Sequence, residues 1–268
     1  MSQAIPSSAP GLARAAAGSP AWRWVAAAAI LGCILLNYWW NAAPANGQNM
    51  GQVSAQYPTL LTPAGWAFSI WGLIFLSLAI YAVWQLLPAQ RQSPLPDAVA
   101  APLTVASVAA ALWVVAFSYE LIAVCTALML LTLGALILGY GRARRLVRAG
   151  EAPGPASWPL SLFLGWISVA TTINLTLALR ELGWDVPLNV GLLLSVALLA
   201  VVVALGLLLG YGFRDGLYPL VLAWALLGIG LARRADLPEL GWLALAGAAL
   251  LAVVAASLLL RRSRRVRP

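Results

Sequence analysis

Eight apolar runs occupy most of the chain and constrain its fold more than any other feature. They lie at about 23–41, 63–87, 101–118, 121–141, 158–180, 188–211, 217–232 and 239–260. A hydrocarbon core about 30 Å thick requires roughly 20 apolar residues to cross as a helix. Unpaired backbone groups are costly in lipid, so a spanning segment forms its hydrogen bonds internally. The sequence therefore predicts an all-α fold, a polytopic transmembrane helix bundle with about eight spans.

The composition excludes a soluble domain of any size. Only 9% of the residues are charged and 62% are hydrophobic, whereas soluble chains carry roughly 25% charged residues. The net charge of +8 comes entirely from arginines in short clusters between the apolar runs. A nucleic-acid site requires a continuous basic face. We therefore predict the lipid bilayer as a partner and no nucleic-acid partner.

The arginines also predict the topology, because basic residues accumulate on the cytoplasmic side of a membrane protein. With eight spans, thirteen of the sixteen arginines fall on one side and only Arg180, Arg233 and Arg234 fall on the other. Seven spans are also compatible with the run lengths, but they would separate the arginine-rich C-terminal tail from the other clusters. The bias therefore predicts a multi-pass protein of a bacterial plasma membrane with both termini in the cytoplasm.

Groups that commonly carry chemistry are scarce. The chain has no histidine, and its two cysteines, Cys33 and Cys125, lie inside apolar runs. Small hydrophobic residues of this kind usually serve packing. There is no Ser/His/Asp arrangement, phosphate loop or pair of carboxylates within a span. We therefore predict no catalytic residue, no metal site and no enzymatic activity.

Two patterns indicate a ligand site. Phe68, Trp71 and Phe75 are spaced i, i+3, i+7, which places three rings on one face of a helix. Trp166, Ala170 and Asn174 are spaced i, i+4, i+8, which aligns a ring, a gap and an amide. Such faces are suited to line a binding site for a flat hydrophobic ligand with a polar edge. Packing of the rings and an interhelical hydrogen bond of the amide remain the alternative.

The first long connection, at about 42–62, is uncharged and rich in Asn, Gln, Gly and Ser. It could fold back over the helix ends as a lid, since long ordered loops often serve binding. A flexible polar linker is the other interpretation, and the sequence does not decide between the two.

Three stretches carry a family resemblance. TPAGWAFSIWGLIF (Thr62 to Phe75) resembles the second-helix signature of the TspO/MBR family of tryptophan-rich sensory and translocator proteins. GWISVATTIN (Gly165 to Asn174) is similar to the fifth helix of that family, and LWVVAF (Leu112 to Phe117) to the third. The resemblance predicts a TspO-like five-helix membrane bundle at 23–182, followed by three additional transmembrane helices at 183–260. The composition predicts a flexible N-terminal tail at 1–22 and a basic C-terminal tail at 261–268.

The resemblance implies that tetrapyrroles or sterol-like molecules bind in a cavity beneath the first loop. The implied ligand-binding residues are Trp66, Phe68, Trp71, Trp113, Phe117, Trp166, Ala170 and Asn174. Because the chain offers no imidazole ligand for haem iron, a metal-free porphyrin fits better. The leading hypothesis is thus a membrane ligand-binding or sensory protein that needs no cofactor. A transporter of small hydrophobic molecules, light-dependent porphyrin breakdown and a structural subunit are the alternatives, and the oligomeric state is left open.

Overall fold

The computed structural model describes residues 20–44, 47–48, 50–57, 59–184 and 186–265, which form nine α-helices and no strand. The helices are α1 (Pro20–Ala42), α2 (Met50–Gln56), α3 (Ile70–Trp84), α4 (Pro94–Ser118), α5 (Ile122–Ala149), α6 (Trp158–Glu181), α7 (Leu188–Phe213), α8 (Leu217–Arg233) and α9 (Pro238–Arg265). Short 3-10 helices at Gly65–Ser69, Pro88–Gln90 and Gly154–Ser157 precede α3, α4 and α6. Most of the predicted flexible tail at 1–22 lies outside the described residues.

Each of the eight predicted apolar runs coincides with a helix, which confirms the polytopic helical bundle. Within the described residues, seven helices are long and apolar enough to cross a membrane, and α8 is shorter at 17 residues. Seventeen residues is the lower limit for a span. Large apolar side chains such as Leu35, Leu208 and Val253 are about two-thirds exposed on the outside of the bundle. These faces suit lipid contact, so the chain is an integral multi-pass membrane protein.

The main difference from the predicted boundaries is the length of α5. The apolar run ends near residue 141, but the helix continues for two more turns to Ala149, so the arginines at 142–148 lie on a helix. Arginine is a good helix former, and here its long side chain can reach neighbouring carbonyl groups. Gly150, with φ of +78°, ends the helix in the left-handed conformation.

One hydrophobic core joins helices from both predicted regions, 23–182 and 183–260. The addition of a Cβ to Gly165 on α6 would place it 2.8 Å from Val221 on α8, so these helices are in close contact. Arg144 on α5 is 2% exposed, and it donates to the Phe213 carbonyl at 2.8 Å and the Arg214 carbonyl at 3.0 Å, at the end of α7. The last three helices are therefore packed onto the first part of the bundle.

A candidate ligand-binding cavity beneath the first loop

A cavity of about 520 Å³ lies at one end of the bundle. At this end α1, α4 and α6 end and α3 and α5 begin, and we refer to it as the loop-side end because the first loop covers it. Residues from α1 to α6 line the cavity: Asn37, Asn41, Met50, Ser54, Tyr57, Thr62, Pro63, Gly65, Phe68, Trp71, Phe75, Trp113, Phe117, Met129, Trp166, Val169, Ala170, Ile173, Asn174 and Leu177.

Seven of the eight residues that the resemblance implies line this cavity, and Trp66 does not. The aromatic stripe consists of Phe68 in the 3-10 helix before α3 and of Trp71 and Phe75 on α3, and it faces the ring of Trp166 on α6. The centroid of Trp166 lies 5.6 Å from that of Phe68 at 81° and 6.4 Å from that of Trp71 at 79°. Edge-to-face arrangements of this kind are the favoured geometry of aromatic pairs. The rings therefore hold one another in fixed orientations along one wall.

Another part of the lining combines rings with an amide. Trp113 and Phe117 on α4 are stacked, with centroids 4.7 Å apart and planes 12° apart. The Trp113 Nε1–H group donates to Asn174 Oδ1 at 3.1 Å, and Asn174 Nδ2 donates to the Ala170 carbonyl at 2.9 Å. Asn174 thus makes the interhelical hydrogen bond that the alternative interpretation expects, and it also lines the cavity. Such bonds contribute about 1 kcal/mol in a membrane.

Trp66 instead faces α8. It is 42% exposed, and its ring packs edge-to-face on Trp224 with centroids 4.8 Å apart. Trp224 Nε1 donates to the Ala67 carbonyl at 2.9 Å, and the Ala64 N–H donates to the Gly228 carbonyl at 3.1 Å. Through these bonds α8 fixes the segment that leads into the aromatic stripe of α3.

The first loop folds over the cavity rather than extending away from it. Its helix α2 buries Val53 completely in a small cluster with Phe117 and Cys125. The Tyr57 hydroxyl donates to Glu120 Oε2 at 2.6 Å, in the turn between α4 and α5. This hydrogen bond to a carboxylate raises the pKa of Tyr57 above its ordinary value. The described part of the loop therefore has the lid arrangement.

Apart from Asn174, sequence reasoning missed the polar residues of the lining. Asn37 and Asn41 lie on α1, and Ser54 and Tyr57 come from the first loop. Two amides one helical turn apart, close to the end of an apolar run, were the available signal on α1. The loop residues carried no comparable signal, because a short polar segment has no apolar periodicity.

The cavity is apolar and uncharged. No acidic or basic side chain belongs to the part of its lining that the structure describes. Within the described residues there is also no group of three or more His, Cys, Asp or Glu side chains that could hold a metal ion. Cys33 and Cys125 are buried elsewhere and do not line the cavity. Such a space is suited to apolar ligands and offers hydrogen bonds at few points.

Comparison with known proteins agrees with the geometry. The family model described as TSPO-like protein matches residues 23–257, which include α2 to α8 and most of α1 and α9. No curated protein and no solved structure matches the chain. Because the match extends over most of the sequence and the bundle encloses a tryptophan-rich cavity, the chain belongs to the TSPO-like protein family.

Proposed function

We propose that this protein binds flat, largely apolar molecules, of the tetrapyrrole or sterol-like kind, in the cavity beneath the first loop. In this role it acts as a membrane ligand-binding or sensory protein. The observation that carries the proposal is the lining, in which rings from α3, α4 and α6 surround a space of about 520 Å³. Cavities of this size and character are typical of small-molecule sites.

Ring contacts are the expected source of affinity. Each square ångström of apolar surface removed from water contributes about 25 cal/mol, and aromatic pairs add about 0.5–1.5 kcal/mol beyond that area. Trp71 and Trp166 are held by their neighbours, so ligand binding would order few side chains. Preorganisation of this kind reduces the entropic cost of binding.

For a tetrapyrrole, we propose the metal-free form. The chain contains no histidine, which is a frequent axial ligand of haem iron. Met50, Met129 and Tyr57 line the cavity, but the phenol of Tyr57 already donates to Glu120. Stacking on the rings, rather than coordination of a metal, is therefore the proposed mode of retention.

Quenching of tryptophan fluorescence by protoporphyrin tests the proposal. The titration uses detergent-purified protein in the dark, so that light-driven porphyrin breakdown does not contribute. We expect saturable quenching that weakens about fivefold or more in the double variant Trp71→Phe, Trp166→Phe, a loss comparable to two impaired ring contacts. The matched control is Trp22→Phe, Trp242→Phe, which removes two exposed indoles outside the cavity.

A fluorescent sterol such as dehydroergosterol, titrated in the same way, tests the second ligand class. Energy transfer from tryptophan to the sterol should saturate and should weaken in the Trp71, Trp166 double variant only. If neither ligand gives a saturable signal, or if both double variants behave alike, the proposed function is wrong.

We also propose a plasma-membrane location with both termini cytoplasmic, in the orientation that the arginine bias favours. The cavity then opens toward the outer half of the bilayer. Reporter fusions placed after Arg148 and after Arg267 should both report the cytoplasm. Reporters that fall on opposite sides would contradict this topology and with it an eight-span bundle.

A further inference from the structure

One polar group of the lining has an unused hydrogen-bonding capacity. Asn37 is 5% exposed and lies on α1, five residues before the helix ends at Ala42. Its Nδ2 group donates to the Cys33 carbonyl at 2.9 Å and contacts Cys33 Sγ at 3.5 Å. No hydrogen bond within the described part of the chain ends on its Oδ1, and this atom is not fully enclosed. Asn37 lines the cavity, and Oδ1 is the atom of its amide that no described group occupies.

The orientation of this amide is fixed by its neighbour. If the amide were turned by 180°, Oδ1 would face the Cys33 carbonyl oxygen at the 2.9 Å now occupied by Nδ2. Two acceptors at that distance repel each other, because neither carries a proton. Asn37 therefore presents an acceptor, and not a donor, to the cavity.

Most other polar groups of the lining are already engaged. Asn41 Oδ1 accepts the Met50 N–H at 3.3 Å, and Asn174 Oδ1 accepts the Trp113 N–H at 3.1 Å. The Tyr57 hydroxyl donates to Glu120. Among the other polar side chains of the lining, the Ser54 hydroxyl is the one that, like Asn37 Oδ1, has no hydrogen bond among the described residues. A buried acceptor without a partner favours a ligand that supplies a donor.

We infer that Asn37 determines the specificity of the cavity, by accepting a hydrogen bond from a hydroxyl or N–H group at one end of an otherwise apolar ligand. This inference rests on the proposed function and narrows it. The preferred ligands present a hydroxyl or N–H donor to Asn37. A carboxylate has no donor for Asn37, and no cationic side chain belongs to the described lining. A carboxylate at that end of the ligand is therefore disfavoured.

Three flat probes that share one fluorophore test the inference: pyrenylmethanol, its methyl ether and pyrenecarboxylate. They present a hydroxyl, the same oxygen without its proton, and an anion. Binding to the full chain in phosphatidylcholine nanodiscs is measured by energy transfer from tryptophan. For the wild type we expect the alcohol to bind about threefold to tenfold tighter than the ether. This difference corresponds to the net free energy that one hydrogen bond contributes. The carboxylate should bind most weakly.

Asn37→Leu retains the approximate shape of the side chain and removes the acceptor. It should abolish the preference for the alcohol while leaving the affinity for the ether within about twofold, the scatter expected when no hydrogen bond is involved. Unchanged ether binding also reports that the variant is folded. Gln85→Leu is the matched control, because it makes the same replacement at a buried amide outside the cavity, and the preference should persist.

The remaining outcomes overturn the inference. If Asn37→Leu keeps the preference, or if Ser54→Ala alone removes it, Asn37 is not the specificity determinant. Tightest binding of the carboxylate would show that Asn37 does not select a donor at that end of the ligand. If none of the pyrene probes binds while protoporphyrin or the sterol binds saturably, the inference fails and the proposed function stands. If no probe of either set binds, both fail.

Discussion

Gly228 on α8 packs closely against the segment that leads into the cavity wall. The addition of a Cβ would place it 2.8 Å from Ala67 Cβ and 3.0 Å from Pro63 Cβ. Both atoms are attached directly to the backbone and cannot rotate away. We therefore predict that Gly228→Ala destabilises the bundle and displaces the segment before Phe68.

The magnitude follows from two opposing effects. Favourable carbon–carbon contacts lie at about 3.5–4.0 Å, so the 2.8 Å pair must separate by roughly 0.7 Å or more. Overpacking of this kind costs about 1–3 kcal/mol. Replacement of glycine by alanine within a helix stabilises the folded state by about 0.5–1 kcal/mol, which offsets part of this cost. The expected net loss is about 1 kcal/mol, which lowers the Tm by about 2–4 °C for a chain of this size.

Thermal unfolding monitored with a thiol-reactive fluorophore is a suitable assay, because Cys33 and Cys125 are free and buried until the bundle opens. Gly134→Ala on α5 is the matched control, since a Cβ at that position meets no atom within 4 Å. It gains the helix propensity without the clash and should melt at or above the wild-type temperature. Ala67→Gly in the Gly228→Ala background removes the nearest atom and should recover part of the loss.

The reasoning would be refuted if Gly228→Ala melted as high as Gly134→Ala. In that case α8 does not contact the start of α3 closely enough to support the cavity wall. A loss that Ala67→Gly does not reduce would also place the strain elsewhere.

Two further predictions concern the lid and a buried amide. Tyr57→Phe removes the hydrogen bond to Glu120 and should speed labelling of Cys125, which packs beneath α2, by about threefold to tenfold at neutral pH. Because the folded-state pKa of Tyr57 is raised above its ordinary 10.0, the bond is present below pH 10 and is lost as the pH rises through the folded-state pKa. The labelling difference should therefore disappear at high pH. Gln85→Leu should raise stability by about 1–3 kcal/mol, measured by the same thermal assay, because both amide atoms of Gln85 are buried without a partner among the described residues.

Equal labelling rates for wild type and Tyr57→Phe at neutral pH would show that the hydrogen bond does not hold the lid. A lower melting temperature for Gln85→Leu would show that its amide is paired in the membrane.

The helices could be predicted from sequence because the bilayer imposes a local requirement. A span needs about 20 apolar residues in succession, and a run of that kind is visible without knowledge of its neighbours. Helix ends at the membrane surface are less determined. The arginines at 142–148 indicated a loop, but they continue α5, since Arg144 is stabilised by carbonyl groups of α7 that lie about 70 residues away in the chain.

The aromatic wall was partly predictable for a similar reason. The spacing of Trp71 and Phe75 on α3 places their rings on one face, and that face borders the cavity. Phe68 and Trp66 both lie in the preceding 3-10 helix, where the α-helical periodicity does not apply. Phe68 lines the cavity with the α3 rings, as the spacing predicted, whereas Trp66 faces α8. Its partner, Trp224, is more than 150 residues away in the chain, and no local pattern encodes that contact.

The polar features of the cavity depended on tertiary structure. Helix α2 is seven residues long, too short to be stable alone, and it forms where Val53 can be buried against α4 and α5. Asn37 was indistinguishable from a packing residue until the structure showed which of its amide atoms was already bonded.

Occlusion of the cavity tests the central claim most directly. Ala170→Trp adds an indole to the lining, whereas Ala101→Trp adds one to an exposed position of α4. Binding of protoporphyrin and of the fluorescent sterol is measured by equilibrium dialysis, which does not depend on tryptophan emission. We expect saturable binding by the wild type and by Ala101→Trp. In Ala170→Trp the added indole occupies space in the cavity, so we expect the affinity to fall about tenfold or more, comparable to the loss of one aromatic contact. Equal binding by all three proteins would contradict the account, because the ligand would then bind outside this cavity.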